Sequence, residues 1–417
     1  MLNRSIPGNT TIGILVILTL ITPVTAQEAE TSADKKEQPK AEAAAKVDGA
    51  GPKDAKTESG ATEKASEPEQ KEAVKPATAK KEEKPPTPQQ PTIDPNETGR
   101  IALTSPPKDN LDYSLLGEFV GEVNVGDKKH KIGLQLRPIG PATFSAIRYL
   151  GGLPGQKGVD WTSGETTELV GRRAGPVLVL SGSQEAVFVS ADSCKLIDSE
   201  GKLLGTLPRV NRSSPTLGAM APADAVVIFD GTNTSQLDQG EMTEDGLLKE
   251  GSTIIPMFQD FNMHLEFRLP YMPNSEGQKR ANSGCYLQSR YEVQVLDSFA
   301  QLPQFNGCSS LYRQKSPDVN ACLPPLVWQT YDIHFTAPRW ASDGKKIRNA
   351  RITVWLNGIK TQDDYEIKSK TGAGSPEEPK LLPIKLQNHS DPVRFRNIWI
   401  VDRGLSSGTE FPVFAGE

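Results

Sequence analysis

The chain is short of the residue types on which many reactive scaffolds rely. Four cysteines in 417 residues are too few for a disulfide-stapled framework, and none stands in a Cys-x-x-Cys spacing that would mark a zinc or redox motif. Four scattered histidines exclude a His-Glu-x-x-His metalloprotease helix. Aromatic residues make up 6% and apolar residues 36% of the chain, too little to fill cores along its whole length. Positive charge is not in excess either. The formal net charge of -5 argues against nucleic acid or an anionic membrane surface as partner. Sustained helical periodicity is missing, whereas Gly (36) and Pro (33) are abundant, as turns and linkers require.

The shortage of apolar residues is concentrated in one segment. Residues 27–91 contain no Leu, Ile, Phe, Tyr or Trp. Such a stretch cannot offset a backbone ordering cost of roughly 1–2 kcal/mol per residue, so 27–97 is expected to be an unfolded Ala/Glu/Lys/Pro linker. Ahead of it, Arg4 precedes an apolar run over 12–20, and Val24-Thr25-Ala26 ends in small residues. This is the pattern of a secretory signal peptide over 1–26, with an uncleaved N-terminal anchor as the alternative. The expected location is secreted, periplasmic or cell-envelope, with no stable membrane insertion once the signal is removed.

Two β-rich units are expected beyond the linker. Within 98–212, segments 118–125, 130–137, 143–150, 177–180 and 186–190 alternate polar and apolar residues between turn clusters, which predicts a small antiparallel sheet or barrel. No acid, base and nucleophile cluster there, so an accessory role is expected. A Pro/Gly/Ala joint over 212–225 leads to a second unit over 224–404, and residues 405–417 form a tail. Segments 264–269, 284–296, 329–335, 350–356, 384–389 and 393–401 read as strands, implying two packed antiparallel sheets in a sandwich or jelly roll. The fold class is all-β.

Read as one strand, 284–296 places Tyr286, Gln288, Arg290, Glu292 and Gln294 on one face, with Leu287, Tyr291, Val293 and Val295 on the other. The ordinary interpretation is a solvated sheet face. Against it stands the absence of Lys from a face of planar hydrogen-bonding groups and an aromatic ring. A second strand repeats the pattern with His264, Glu266 and Arg268. A third patch carries Gln387 and His389, then Arg394 and Arg396. Surfaces of this chemistry suit sugar hydroxyls, and a histidine suits proton transfer at neutral pH. Cys308 and Cys322 flank a Ser/Pro/Asn-rich loop and fit a disulfide closing it, while Cys194 and Cys285 are expected as buried thiols. Trp328, Trp355 and Trp399 are expected in the core.

Phe229-Asp-Gly-Thr, Leu265-Glu-Phe-Arg, Asn282-Ser-Gly, Arg290-Tyr-Glu-Val-Gln-Val-Leu-Asp, Trp328-Gln-Thr-Tyr-Asp, Leu386-Gln-Asn-His and Val393-Arg-Phe-Arg-Asn-Ile-Trp occur in that order. Together they make the second unit resemble the 3-keto-disaccharide hydrolase domain family. The resemblance implies a concanavalin A-like β-sandwich and a carbohydrate substrate, a glycoside oxidised at C3. Cleavage would run by C2 proton abstraction, elimination and hydration. It further implies Glu292 and His389 in proton transfer, Arg290 and Arg396 at the developing oxyanion, and Glu266, Asn282, Gln288, Gln294, Gln387 and Arg394 on sugar hydroxyls. Asp297 is a second carboxylate candidate. A divalent cation among Glu266, Glu292 and His389 stays open, because no ligand spacing demands one. Cys285 and the Asn-His-Ser sequence at 388–390 depart from the residues common in relatives. The competing functions are a non-catalytic, lectin-like carbohydrate-binding module of the cell envelope and an inactive envelope protein whose tether matters most.

Overall fold

The computed structural model describes residues 98–156, 164–183, 185–404 and 413–414. The expected signal peptide, the linker and most of the tail lie outside the described residues. Among the described residues, no helix is long and apolar enough to cross a membrane.

After a one-turn helix, α1 (Leu111–Leu115), capped by the Asn110 side chain, the first unit is a closed antiparallel barrel of eight strands. They are β1 (Gly117–Val125), β2 (Lys128–Pro138), β3 (Thr143–Leu150), β4 (Thr166–Ala174), β5 (Val177–Ser181), β6 (Glu185–Val189), β7 (Ser193–Asp198) and β8 (Leu203–Val210). Each pairs with the next, and β8 closes on β1. Inward residues such as Phe119, Leu134, Phe144, Leu180 and Leu207 fill the interior. Strands β4 and β8 escaped the periodicity because Gly, Arg and Pro interrupt their alternation, and β7, only six residues long, was also missed. Gly171 answers to closure: a Cβ there would lie 2.0 Å from the Val179 carbonyl oxygen. A closed barrel leaves no exposed edge.

The second unit is a sandwich. Its smaller sheet has the order β10 (Leu237–Asp238), β12 (Thr253–Ile254), β21 (Lys385–Leu386), β14 (Ser283–Leu287) and β15 (Tyr291–Val295). The larger runs β11 (Leu248–Lys249), β22 (Arg394–Asp402), β13 (Phe261–Arg268), β16 (Trp328–Thr336), β19 (Ala350–Leu356) and β20 (Ile359–Ile367), with β9 (Ala225–Phe229) also paired to β22. A small sheet joins β17 (Arg339–Ala341) to β18 (Lys346–Arg348) and β23 (Val413–Phe414). Leu265, Phe267, Tyr331 and Phe335 from the large sheet meet Cys285, Leu287, Tyr291 and Val293 from the small one in a continuous core.

Several expectations need correction. Segment 284–296 is a hairpin, not one strand: the chain reverses over 288–290, with Gln288 and Ser289 at positive φ (48° and 53°). Segment 384–389 keeps only Lys385 and Leu386 in a strand, leaving His389 in an exposed loop. Cys308 and Cys322 are free buried thiols rather than a disulfide; they hydrogen-bond one another, and Cys308 Sγ also lies 3.2 Å from the Tyr331 hydroxyl. The three tryptophans sit on the outer face of the large sheet and are only half-buried. Trp328 lies beneath Arg396, Trp399 stacks on His264, and Trp355 meets His334 edge-on.

Asp297 is a structural ion-pair partner. Its carboxylate accepts from Arg280 Nε (2.7 Å), both side chains are fully buried, and Arg280 Nη1 also reaches the Pro138 carbonyl of the barrel (3.1 Å). Removing one member of a buried pair strands the other charge, at a cost of roughly 3–5 kcal/mol. Asp297→Asn should therefore lower the urea midpoint of unfolding by an amount corresponding to that loss, while Asn274→Ala on the neighbouring surface should shift it far less.

Candidate active site

The hairpin sets the geometry of the candidate site. In its register Tyr286 lies opposite Glu292 and Gly284 opposite Gln294, so these side chains share the face turned away from the core. Glu292 is 2% exposed. The Tyr286 hydroxyl donates to Glu292 Oε2 (2.8 Å). With its amide nitrogen facing acceptors, Gln294 donates to Glu292 Oε1 (3.1 Å) and to the Ser283 carbonyl (2.8 Å). Gly284 is where the carboxylate needs room: a Cβ there would stand 2.5 Å from Glu292 Oε1. Burial pushes the Glu292 pKa up to about 7, and the Tyr286 hydrogen bond restrains the rise. Burial first, and then the adjacent Glu292 carboxylate, drives the Tyr286 phenol far above its ordinary value. Tyr286 therefore remains a donor while Glu292 changes charge near neutrality.

A cavity of about 250 Å³ opens onto this carboxylate. Glu292, His389, Asn282, Gln294 and Gln387 line it together with Tyr286, Tyr312 and Gln278. Asn282 is held by its backbone N–H on Asp391 Oδ2 (2.8 Å) and by its side chain on the Gln278 carbonyl (2.9 Å). Gln387 Nε2 points at the Tyr286 hydroxyl (3.5 Å). A hollow of about 620 Å³ at one barrel end is larger. It carries the Arg148–Glu185 pair (2.6 Å), whose opposite charges are already matched, whereas the smaller cavity faces a carboxylate with no cationic partner at its oxygens.

The other expected site residues lie elsewhere. Arg290, in the hairpin turn, donates to the Pro376 carbonyl (2.8 Å), and its own carbonyl accepts from the Thr371 N–H (2.9 Å). It anchors the loop carrying Gly372 and Ala373, which walls the cavity, and does not face an oxyanion. Gln288 is fully buried and donates to the Phe258 carbonyl (2.9 Å). Arg394 pairs with Glu250 (2.7 Å).

Glu266 and Arg396 belong to the large sheet's outer face, away from Glu292. Glu266 accepts from Arg396 Nε (2.7 Å), Asn397 Nδ2 (3.0 Å) and the Gly218 N–H (2.5 Å). Burial alone would raise its pKa, but these bonds and His264 hold it down at about 2. His264 Nδ1 meets Asp332 Oδ1 (2.7 Å); burial opposes its charged form, yet Asp332 and Glu266 raise its pKa. This network fastens the 214–219 segment across the sheet. Of the three residues weighed for a divalent cation, Glu266 lies on the large sheet, Glu292 on the small one and His389 in an exposed loop, and among the described residues no group of three or more His, Cys, Asp or Glu side chains is arranged to hold a metal ion.

Sequence reasoning missed Gln278, in a one-turn 3₁₀ helix over Gly277–Lys279, and Tyr312, in a turn, since neither stretch shows periodicity. The chemistry of both was visible, but no pattern tied them to Glu292. Tyr286 lay on the expected face without being assigned a part.

Residues 224–401 match the 3-keto-alpha-glucoside-1,2-lyase-like domain, and through them the chain belongs to that family. The second unit is a glycosidase-like enzyme domain. A crystal structure described as a "putative glycosyl hydrolase" from Parabacteroides distasonis is 32% identical, over 49% of this chain and 97% of that one, with a TM-score of 0.40. A second from the same organism is 16% identical over 43% and 94%, with a TM-score of 0.32. A Trypanosoma rangeli sialidase mutant displaying trans-sialidase activity is 11% identical over 70% and 52%, with a TM-score of 0.23. Among curated proteins there is no significant match.

A carboxyl group whose pKa is higher in the folded chain binds its proton more tightly there. The stability this brings is complete below about 4.5 and is lost as the pH rises through about 7, a change of roughly 3 kcal/mol for a shift of that size. Glu292→Gln removes the ionisation. Chemical unfolding at pH 8.5 should find the variant more stable than the parent by roughly 2–3 kcal/mol, and the advantage should vanish at pH 4. An equal difference at both pH values would show that Glu292 titrates normally.

Proposed function

We propose that the second unit cleaves glycosides whose C3 hydroxyl has been oxidised to a ketone, with Glu292 as the base that removes the C2 proton. One observation carries this: a single, nearly buried carboxylate with a pKa of about 7 faces the cavity. Ordinary retaining and inverting glycosidases place two carboxyl groups about 5–10 Å apart across the cleft. Among the residues lining this cavity, Glu292 is the one carboxylate. A C3 ketone makes the C2 hydrogen acidic, so a single base suffices.

The electron count closes. Glu292 takes the C2 proton and the C2–H pair becomes an enolate, with charge on the C3 oxygen. That pair then forms the C1–C2 double bond as the C1–O bond breaks, and the departing oxygen takes up a proton. Water adds across the double bond, oxygen to C1 and hydrogen to C2, which completes a net hydrolysis. The Gln387 amide and the Tyr312 hydroxyl are the neutral donors for the ketone oxygen and ring hydroxyls, replacing the arginines first expected there, while Gln294 directs its two N–H groups to Glu292 and the Ser283 carbonyl and Asn282 directs its own to Gln278. His389, in the rim loop, is the donor for the leaving oxygen. The reading includes export through the N-terminal signal and an accessory role for the barrel.

The test is release of sugar from a 3-keto-disaccharide by the full-length chain. The rate constant kcat/KM should rise with pH through about 7, because only the ionised base acts. In Tyr286→Phe this limb should move to higher pH, since the lost hydrogen bond favoured the carboxylate. Glu292→Gln should lower kcat by roughly 10²–10⁴. An unchanged rate in Glu292→Gln rejects the assignment, and binding of unoxidised glycans without turnover would favour the lectin-like alternative.

A further inference from the structure

The Glu292 cavity is the smallest of three that have walls in common. Gln278 and His389 also line a depression of about 560 Å³ whose walls include Arg100, Glu276, Lys279 and Asp391. Tyr286, Ala373 and Gln387, a different set of its walls, also line a cavity of about 490 Å³ whose walls include Asp238, Ser252, Thr253, Ser289 and Lys385. Each flank is about twice the size of the cavity at the base, about 250 Å³. A site for a two-ring sugar has no use for room on both sides.

The flanks also report the character of what fills them. On the His389 side the formal charges of Arg100 and Lys279 cancel those of Glu276 and Asp391, and on the other side Lys385 cancels Asp238. Apart from the His389 imidazole, the remaining polar side chains there are hydroxyls and amides. Such walls match hydroxyl-rich, uncharged ligands and offer an acidic chain no net attraction.

The His389-side wall is not built by the family domain alone. Arg100 precedes the barrel and lies outside residues 224–401. It donates to the Ser390 carbonyl (3.1 Å) and pairs with the buried Asp391 carboxylate, whose second oxygen holds the Asn282 N–H. The arm carrying it is laid along the sandwich by paired backbone hydrogen bonds between Leu103 and Tyr271 (3.0 and 2.8 Å) and by Asn274 Nδ2 on the Gly99 carbonyl (3.0 Å).

We infer that the substrate is a neutral glycan chain longer than a disaccharide, bound with its oxidised ring at Glu292 and further rings on both sides. This rests on the keto-glycoside reading of the Glu292 site, and the experiment separates the two. Neutral two-ring and four-ring glucans of several linkages, each oxidised at C3 and the longer ones on an internal ring, are given to the full-length chain. For every linkage cleaved, the four-ring substrate should show at least a tenfold higher kcat/KM. Lys279→Trp and Lys385→Trp, which obstruct opposite flanks at exposed positions, should each bring that ratio down at least fivefold with melting temperatures preserved. A ratio near one for every linkage cleaved overturns the extended groove while leaving the keto-glycoside reading intact. If nothing is cleaved, that reading fails, and calorimetry with unoxidised glucans decides the groove. Tighter binding of four rings than of two supports it, and no preference for length overturns it.

Discussion

Left-handed backbone at a non-glycine residue costs the chain roughly 1–2 kcal/mol, and the hairpin between β14 and β15 contains two such residues in succession. Side chains of the turn offset that cost. Gln288 bonds the Phe258 carbonyl, Ser289 the Pro383 carbonyl and Arg290 the Pro376 carbonyl. With the reversal held from three directions, Tyr286 stands across from Glu292, and a carboxylate with one phenol donor is kept almost dry. The proton affinity of Glu292, the wall made by the Gly372–Ala373 loop and the access from both flanks all follow from that turn.

The sandwich therefore separates its polar chemistry into two populations that look alike as residues. On the large sheet's outer face, Glu266 has Arg396, Asn397 and a backbone N–H at its oxygens, and its proton is lost at low pH. On the small sheet, Glu292 has a phenol and an amide, and burial dominates. Satisfied charges hold a structure together; an under-satisfied one is available for reaction. The same distinction removes Asp297 and Arg290 from the chemistry, since each already has fixed partners.

Much of the architecture was legible because period-two patterns survive in β1, β2, β3, β13, β16 and β19, where one face meets a core. Local pattern could not show the hairpin, because Gln288-Ser289 carries neither the Gly nor the Asn-Gly signal of a tight turn. The error was partly self-cancelling: a reversal centred on residue 289 pairs even positions with even ones, so Tyr286, Glu292 and Gln294 kept a common face while Gln288 and Arg290 left it. His264, Glu266 and Arg268 were recognised as a polar set and Arg396 as part of another patch, but alternation cannot say which sheet of a sandwich a strand joins or which strands lie side by side. Tyr312 in its turn and Gln278 in its short 3₁₀ helix are placed by tertiary contacts.

The passage from barrel to sandwich has a character its Pro/Gly/Ala composition conceals. Arg212 grips Glu118 with two nitrogens (2.5 and 2.7 Å), Ser214 and Thr216 bond Thr330 and Asp332, and the Ala219 carbonyl receives Asn397 and Trp399. A segment so fastened is a strap rather than a hinge. It roofs a buried imidazole and carboxylate, so a chain cut or shortened there would expose both to solvent, and the sandwich would lose part of its own outer wall along with the barrel.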